Sequence, residues 1–479
     1  MPFKYQQLAT RLAAQIDDGQ RPPGERLPSV RTLSRQTGVS LNTALRAYEQ
    51  LERQGRIVAM PQSGFYVATQ PGRALGADFS PHATDIGNAD LIGAIQRAAG
   101  QAGWVPFGTA MLAPALLPGQ ALQRALTRVM RAAPDVAAHY APAEGEAALR
   151  QALAAHCRQD GIDIGADTLW ITNGTMAALS LALLAISAEG DSIALPSPCY
   201  SGQLQLLAGL KRRVVEIPCT ADGFDLDRLE QCLRDRLVRA CLISANFHNP
   251  LGFQLSSDDK ARIAALAARH ACPVIEDDTF GECGHGGPRP LPIKHWDRDG
   301  QVIWCGSVSK TLAPGYRIGW CAPGRHADAI GQLQRAMMLS VNRPLQLALA
   351  DFLHSGDYRR HLRRLQPALA SQCAALRQAV ARHFPPETQI SRPGGGYALW
   401  LKLPAGCDGM ALYHAACTAR IGIVPGEAFS ARGLYRDCVR LNAGNPWDER
   451  LEEAIALLGE RLGTMCGTTA VPPQSPKSI

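Results

Sequence analysis

Apolar residues follow two rhythms along this chain. Over the first 68 positions the spacing is helical: Tyr5, Leu8, Leu12 and Ile16 recur every three or four residues, and Gly19 ends the run. After a Pro22-Pro23-Gly24 turn, Ser29 is placed to cap a second helix running through Leu33 to Thr37. Gly38-Val39-Ser40 makes a tight turn whose serine can cap a third helix carrying Thr43, Leu45, Tyr48, Leu51 and Gln54. Past Gly55 the pattern shortens. Residues 56–59 and 65–68 are strand-like and flank Pro61-Gln62-Ser63-Gly64, which predicts a hairpin. Two short helices joined by a glycine turn, with a hairpin behind them, make a helix-turn-helix with a wing.

The second rhythm begins near residue 169. Short runs at 169–172, 192–195, 214–217, 240–244, 273–276, 302–305 and 318–321 are apolar on both faces and alternate with helical stretches. Most read as central strands of a parallel sheet covered on both sides. In such sheets ligands gather at the carboxyl ends of the strands. Between the two patterns, Gln70-Pro71-Gly72-Arg73 opens a weakly patterned stretch that reads as a linker, followed by helical segments at 91–99 and 119–131. Helices over 327–352 and 357–383 lead to strands at 393–401 and 439–442, a small α+β subdomain. From Gly463 onward the chain reads as a disordered tail. The expected organisation is a winged helix at 1–68, a linker at 69–84, an α/β domain at 85–463 with its small subdomain from about 355, and a tail at 464–479.

Composition narrows this little. With 46% hydrophobic and 19% charged residues, the 479-residue chain is of ordinary globular type. No apolar span approaches the ~18–20 residues needed to cross a bilayer, and the N-terminus lacks a signal-peptide layout. Fourteen cysteines without a C-x-x-C pair speak for reduced thiols in a cytoplasm, not a disulfide framework or a zinc site. The net charge of +7 permits a nucleic-acid partner. In the first 68 residues nine Lys and Arg stand against five Asp and Glu, as phosphate contact requires.

The densest chemistry follows the run at 302–305. Ser307-Val308-Ser309-Lys310-Thr311-Leu312-Ala313-Pro314-Gly315-Tyr316-Arg317-Ile318-Gly319 sets a lysine between two hydroxyl residues and an arginine. A lysine amine so placed can form a Schiff base with an aldehyde cofactor, while Ser307, Ser309 and Arg317 hold a phosphate. The pattern S-x-S-K-x-x-x-P-G-x-R-x-G resembles the cofactor-lysine segment of the fold-type I pyridoxal phosphate (PLP) aminotransferases. That resemblance implies Lys310 as the Schiff-base lysine, with backbone amides of Gly174, Thr175 and Met176 on the phosphate, where a strand opens into a helix. It implies Tyr200, in Pro198-Cys199-Tyr200, stacked on the cofactor ring, and Asn249, in Asn249-Pro250-Leu251-Gly252, bonded to the ring oxygen. Asp277 would face the ring nitrogen, Arg440 would clamp an α-carboxylate, and Tyr140 would lie near the pocket. Phe280 departs from the family pattern, which has tyrosine there.

The N-terminal motifs, Pro23 to Arg31, Gly38 to Thr43 and Ala47 to Leu51, resemble the GntR family of winged-helix repressors. The resemblance implies double-stranded DNA as partner, with Ser40, Asn42 and Thr43 reading bases and Arg31 and Arg46 touching phosphate. Leu41 stands where that family usually has arginine. The two resemblances combined are those of the MocR subfamily, which implies a homodimeric, cytoplasmic transcriptional regulator whose PLP domain senses PLP or an amine or amino-acid effector. The rival readings are a working aminotransferase acting on α-amino acids, and a DNA-binding protein with an inert scaffold. Survival of Lys310 and the phosphate set speaks against the last.

Overall fold

One apolar stripe organises the N-terminal unit. Helix α1 (Lys4–Asp17) turns Leu8, Leu12 and Ile16 inward against Leu33 of α2 (Val30–Thr37) and Ala44, Ala47, Tyr48 and Leu51 of α3 (Leu41–Arg53). In this computed structural model residues 4–17, 21, 25–53, 56–60, 64–67, 79–87, 89–99, 101, 103–219 and 223–467 are described. The turn at 22–24, Gly19, the wing tip at 61–63, most of the expected linker and residues 468–479 of the expected tail fall outside them. Both expected caps form: Ser29 Oγ accepts from Thr32 N at 3.2 Å and Ser40 Oγ from Thr43 N at 3.2 Å. Gly38, at φ +67°, closes α2 in the left-handed conformation that glycine adopts without strain. Strands β1 (Ile57–Met60) and β2 (Gly64–Val67) pair antiparallel, Ile57 opposite Val67. The Tyr48 hydroxyl donates to Pro28 O at 2.8 Å and its ring meets Phe65 at 4.6 Å, tying α3 to the wing.

The chain divides into two compact units, Met1–Arg73 and Ala74–Ile479. In the larger one a short strand β3 (Val105–Pro106) precedes the strands of the main sheet. These are β4 (Trp170–Thr172), β5 (Ser192–Ser197), β6 (Arg213–Pro218), β7 (Ala240–Ile243), β8 (Val274–Asp277), β9 (Val302–Ser307) and β10 (Gly319–Ala322). Their order is β4-β10-β9-β8-β7-β5-β6. The sheet is mixed, not wholly parallel: β10 runs antiparallel to both β9 and β4. A parallel return needs a long crossover, and the short 308–318 connection cannot supply one. Behind this lies a four-stranded sheet of β11 (Gln389–Ile390), β12 (Ala398–Lys402), β14 (Val424–Pro425) and β15 (Cys438–Asn442) in the order β11-β12-β15-β14. Strand β13 (Ile421–Gly422) pairs with β3.

Three expectations change. The 327–352 stretch is two helices, Ala327–Met337 and Arg343–His354, because Asn342 caps a new start with Pro344 in its first turn. The last helix, Glu449–Met465, runs past the expected start of the tail, burying Leu458 and Leu462. Its end meets the loop after β12, where Cys466 and Cys407 are paired as a disulfide with Cα atoms 5.8 Å apart, a pairing the expectation of free thiols did not include. No helix among the described residues is long and apolar enough to cross a membrane.

A buried ion pair braces the sheet beneath the candidate site. The Asp278 carboxylate accepts from Asn246 Nδ2 at 2.8 Å, Trp304 Nε1 at 3.0 Å and Arg289 Nη2 at 2.5 Å. Lys260 Nζ in turn donates to Asn246 Oδ1 at 2.6 Å. Removing the acid takes from a buried guanidinium its hydrogen-bonded carboxylate, with only the field of Glu282 left to offset its charge. Asp278→Ala is expected to destabilise the larger unit by about 3–5 kcal/mol in urea unfolding, whereas Arg262→Ala, at an exposed ion pair, is expected to cost at most about 1 kcal/mol.

Candidate cofactor and DNA sites

Strand direction gathers the site. The carboxyl ends of β4, β5, β7, β8 and β9 share one edge of the sheet, and antiparallel β10 begins there, so Arg317 just before it reaches the same edge. A pocket enclosing about 740 Å³, counting the space open to solvent at its mouth, sits on that edge. Thr175, Met176, Tyr200, Asn249, Asp277, Ser307, Ser309, Lys310 and Arg317 line it, as do Ser244, Asn246, Thr279 and Phe280.

One corner gathers hydrogen-bond donors. Helix Thr175–Ile186 starts at Gly174 with no side-chain cap, leaving its first amides pointing out. Arg317 lies over that end, donating to Asn173 O at 3.2 Å and to Ser309 Oγ at 3.4 Å. Gly174 sits at φ +80°, and a β-carbon there would lie 2.5 Å from Arg317 Nη2. Gly319 is equally confined, its would-be β-carbon 2.6 Å from the Gly174 carbonyl carbon.

Deeper in, the Asp277 carboxylate accepts from Gln203 Nε2 at 3.0 Å, Thr279 N at 3.2 Å and Thr279 Oγ1 at 2.5 Å. Burial raises its pKa, opposed by these hydrogen bonds. None of those partners is a cation. Gly202 leaves room for the Tyr200 ring, which would be 2.5 Å from a β-carbon at that position.

Two cations close the pocket. Lys310 Nζ donates to Ala110 O at 2.7 Å, and the Tyr397 hydroxyl donates to the same carbonyl at 3.2 Å. Burial, then the nearby Arg440, lowers the Lys310 pKa to about 8. Arg440 is 3% exposed, and burial lowers its pKa to about 10. Its guanidinium reaches Gly108 O and, at 3.5 Å, Asn249 Oδ1, while Nε has no partner.

Nine of the residues expected around a cofactor therefore line one pocket, with Arg440 behind Asn249; Gly174 lies beneath Arg317, but its amide, expected on the phosphate, donates to Thr172 O at 2.8 Å. Tyr140 does not join them; it follows the turn Pro134–Ala138 on the surface and is 79% exposed. Sequence reading missed Ser244, Asn246 and Thr279, although the position of Ser244 and Asn246 just past β7 was a usable signal. Nothing in the sequence marked Gln203, Tyr397 or the carbonyls of Gly108 and Ala110.

On the N-terminal unit, Arg31, Ser40, Asn42 and Arg46 are exposed. The Ser40 and Thr43 hydroxyls lie 2.8 Å apart and hold the start of α3, leaving Asn42 and Arg46 one turn apart on its outer face.

A winged helix-turn-helix joined to a mixed α/β aminotransferase-type domain is thus the class that the fold and pocket define. Residues 115–458 match the model of aminotransferase class I and II, and residues 4–67 that of bacterial regulatory proteins of the gntR family. The chain is 40% identical to the uncharacterized HTH-type transcriptional regulator YdcR of Escherichia coli K12, over 95% of this chain and 98% of the relative. It is 28% identical to the 2-aminoadipate transaminase of Thermus thermophilus, over 75% and 90%. Among solved structures, the multiple substrate aminotransferase of Thermococcus profundus superposes with TM-score 0.73 at 25% identity, covering 78% of this chain and 95% of that one. LysN, the alpha-aminoadipate aminotransferase of Thermus thermophilus, complexed with N-(5'-phosphopyridoxyl)-L-leucine, gives 0.71 at 26%, covering 79% and 99%. The chain belongs to the aminotransferase class I and II family, in the branch that carries a gntR-family helix-turn-helix domain, the arrangement of the MocR subfamily.

The lowered Lys310 pKa has a direct readout. Only the neutral amine is nucleophilic, and its fraction rises as pH passes upward through about 8. Acylation of Lys310 in cofactor-free protein, followed by mass spectrometry, is expected to climb between pH 7 and 9 and then level. A rise only near the ordinary lysine range, about 10.4, would contradict the burial described.

Proposed function

We propose that the protein is a PLP-dependent, DNA-binding transcriptional regulator, with pyridoxal 5'-phosphate as cofactor and an amine or amino acid as effector. What supports the regulator reading most is the match to an HTH-type transcriptional regulator over 95% of the chain. The pocket fits the cofactor. An uncapped helix start beside Arg317, Ser307 and Ser309 suits a phosphate, and a buried Asp277 without a cationic partner suits a protonated ring nitrogen. When bound, PLP supplies an aldehyde that links to amines and a ring that withdraws electrons.

The chain's own residues then divide the work. The Thr175 and Met176 amides, Ser307, Ser309 and Arg317 hold the phosphate, and Tyr200 and Asn249 orient the ring. Asp277 keeps the ring nitrogen protonated. Lys310 presents its amine, held neutral for a larger share of the time near pH 8 than a solvated lysine. Arg440 receives the carboxylate of an amino-acid effector in exchange for Gly108 O. The regulator works as a cytoplasmic homodimer, the symmetry that two DNA half-sites call for. The exposed Tyr140 fits a role across that dimer.

The second reading, an α-amino-acid aminotransferase, is favoured by the joint presence of Lys310, Asp277 and Arg440. It differs in requiring multiple turnovers with an amino donor.

Two measurements test the proposal. Purified protein is expected to carry PLP with a visible absorption band. Lys310→Ala should lose the borohydride-fixable link, and Arg317→Ala should hold the cofactor at least tenfold more weakly, about 1.4 kcal/mol or more for a lost charged hydrogen bond. A wild-type protein that cannot be loaded with PLP would end the cofactor assignment. In gel shifts on a duplex selected from a random pool, affinity should fall steeply with salt. Arg46→Ala should weaken all duplexes alike, and Asn42→Ala should blur one or two base positions by about 1–3 kcal/mol. Absence of any preference over random duplex would remove the regulator reading.

A further inference from the structure

The outer face of α3 carries a second feature, an apolar stripe. The N-terminal unit contains seven leucines. Five are core residues: Leu8 5%, Leu12 3%, Leu27 4%, Leu33 2% and Leu51 0% exposed. The other two, Leu41 at 51% and Leu45 at 38%, lie one turn apart on α3 and face away from the core. They are not needed to hold the helix, whose inward face of Ala44, Ala47, Tyr48 and Leu51 is complete without them. Beside them runs the polar stripe of Asn42 and Arg46, and the other helix of the pair, α2, carries the exposed Arg31 and Arg35. The occupant suited to this face is a duplex: the surrounding cations match phosphate, and the major groove admits a helix.

We propose, building on the DNA-binding reading above, that Leu41 and Leu45 read the C5-methyl groups of thymines in the operator. Of the base edges in the major groove, only thymine offers an apolar group there. A leucine pressed on the amino or carbonyl edge of another base would strip water from polar atoms and return no hydrogen bond. Leu41 and Leu45 therefore select thymine at two neighbouring positions in each half-site, while Asn42 supplies a hydrogen-bonded contact beside them.

Deoxyuridine isolates the methyl group, since it pairs as thymine does and lacks only that carbon. Full-length, PLP-loaded protein is used to select duplexes from a random pool. Each thymine of the selected duplex is then replaced singly by deoxyuridine. At one or two thymines per half-site the replacement is expected to weaken binding about fourfold, the value of one buried methyl-sized group. Leu41→Ala should bind the thymine and deoxyuridine forms equally at one of these positions, Leu45→Ala at the other, and Leu41→Met should retain the difference. The proposal is overturned if every deoxyuridine duplex binds like its parent while Asn42→Ala still alters base preference. It is also overturned if the leucine variants keep methyl sensitivity and instead change the mass in sedimentation, which would assign the stripe to a second copy of the chain. Failure to select any duplex would be a different result, striking at DNA binding itself.

Discussion

Lys310 and Arg440 both lie inside the larger unit, near enough for the arginine to loosen the lysine's hold on its proton, and much of the pocket answers to that constraint. Two cations out of water repel and lose solvation, so each seeks an acceptor; here the acceptors are main-chain carbonyls, Ala110 O for the lysine and Gly108 O for the arginine. Burial lowers the pKa of both groups, with Arg440 adding to the effect at Lys310, and leaves Arg440 Nε without a partner. Such a site holds an unmet preference for negative charge. Under the proposed function, a carboxylate entering it would replace a neutral carbonyl with a charge-assisted, two-pronged bond.

Sheet geometry makes the convergence possible. Strand ends supply Tyr200, Asn249, Asp277 and Lys310 from parallel β5, β7, β8 and β9, and the reversal of β10 swings Arg317 back to the same edge. The reversal needs bare backbone where β4 and β10 meet the helix start, and Gly174 and Gly319 provide it. Behind Asn246 and Asp277, the Lys260–Asn246–Asp278–Arg289 chain of buried polar bonds fixes the floor. Donor corner, acid and amine are therefore positioned by rigid elements, as a site with several polar contacts requires.

How much of this was legible depends on whether the chemistry sits in side chains or in backbone. Strand runs, helix caps at Ser29 and Ser40, and the Ser307 to Gly319 motif were readable because residue type and spacing carry them. The direction of β10 was not, since an apolar run looks alike whichever way it points. The surface position of Tyr140 was hidden for a related reason: a tyrosine in a loop has no periodicity to reveal its facing. Carbonyls of Gly108 and Ala110 have no residue signature at all. The Cys407–Cys466 bond joins positions remote in sequence and outside any cysteine motif. In the N-terminal unit, helical spacing placed the core leucines, and only the assembled helix showed that Leu41 and Leu45 are left out of it.

Regulation of the proposed kind requires that occupancy of the pocket be felt at the DNA. Its most direct measurement is the affinity of full-length protein for one selected duplex in three states: free of cofactor, loaded with PLP, and loaded with PLP plus a saturating amine or amino acid. A change of about 5–150-fold between states is the expected result, the usual range of coupling between two sites, and Arg440→Ala should abolish the part due to a carboxylate-bearing effector. Equal affinity and an identical footprint in all three states, alongside brisk multiple-turnover transamination, would contradict it.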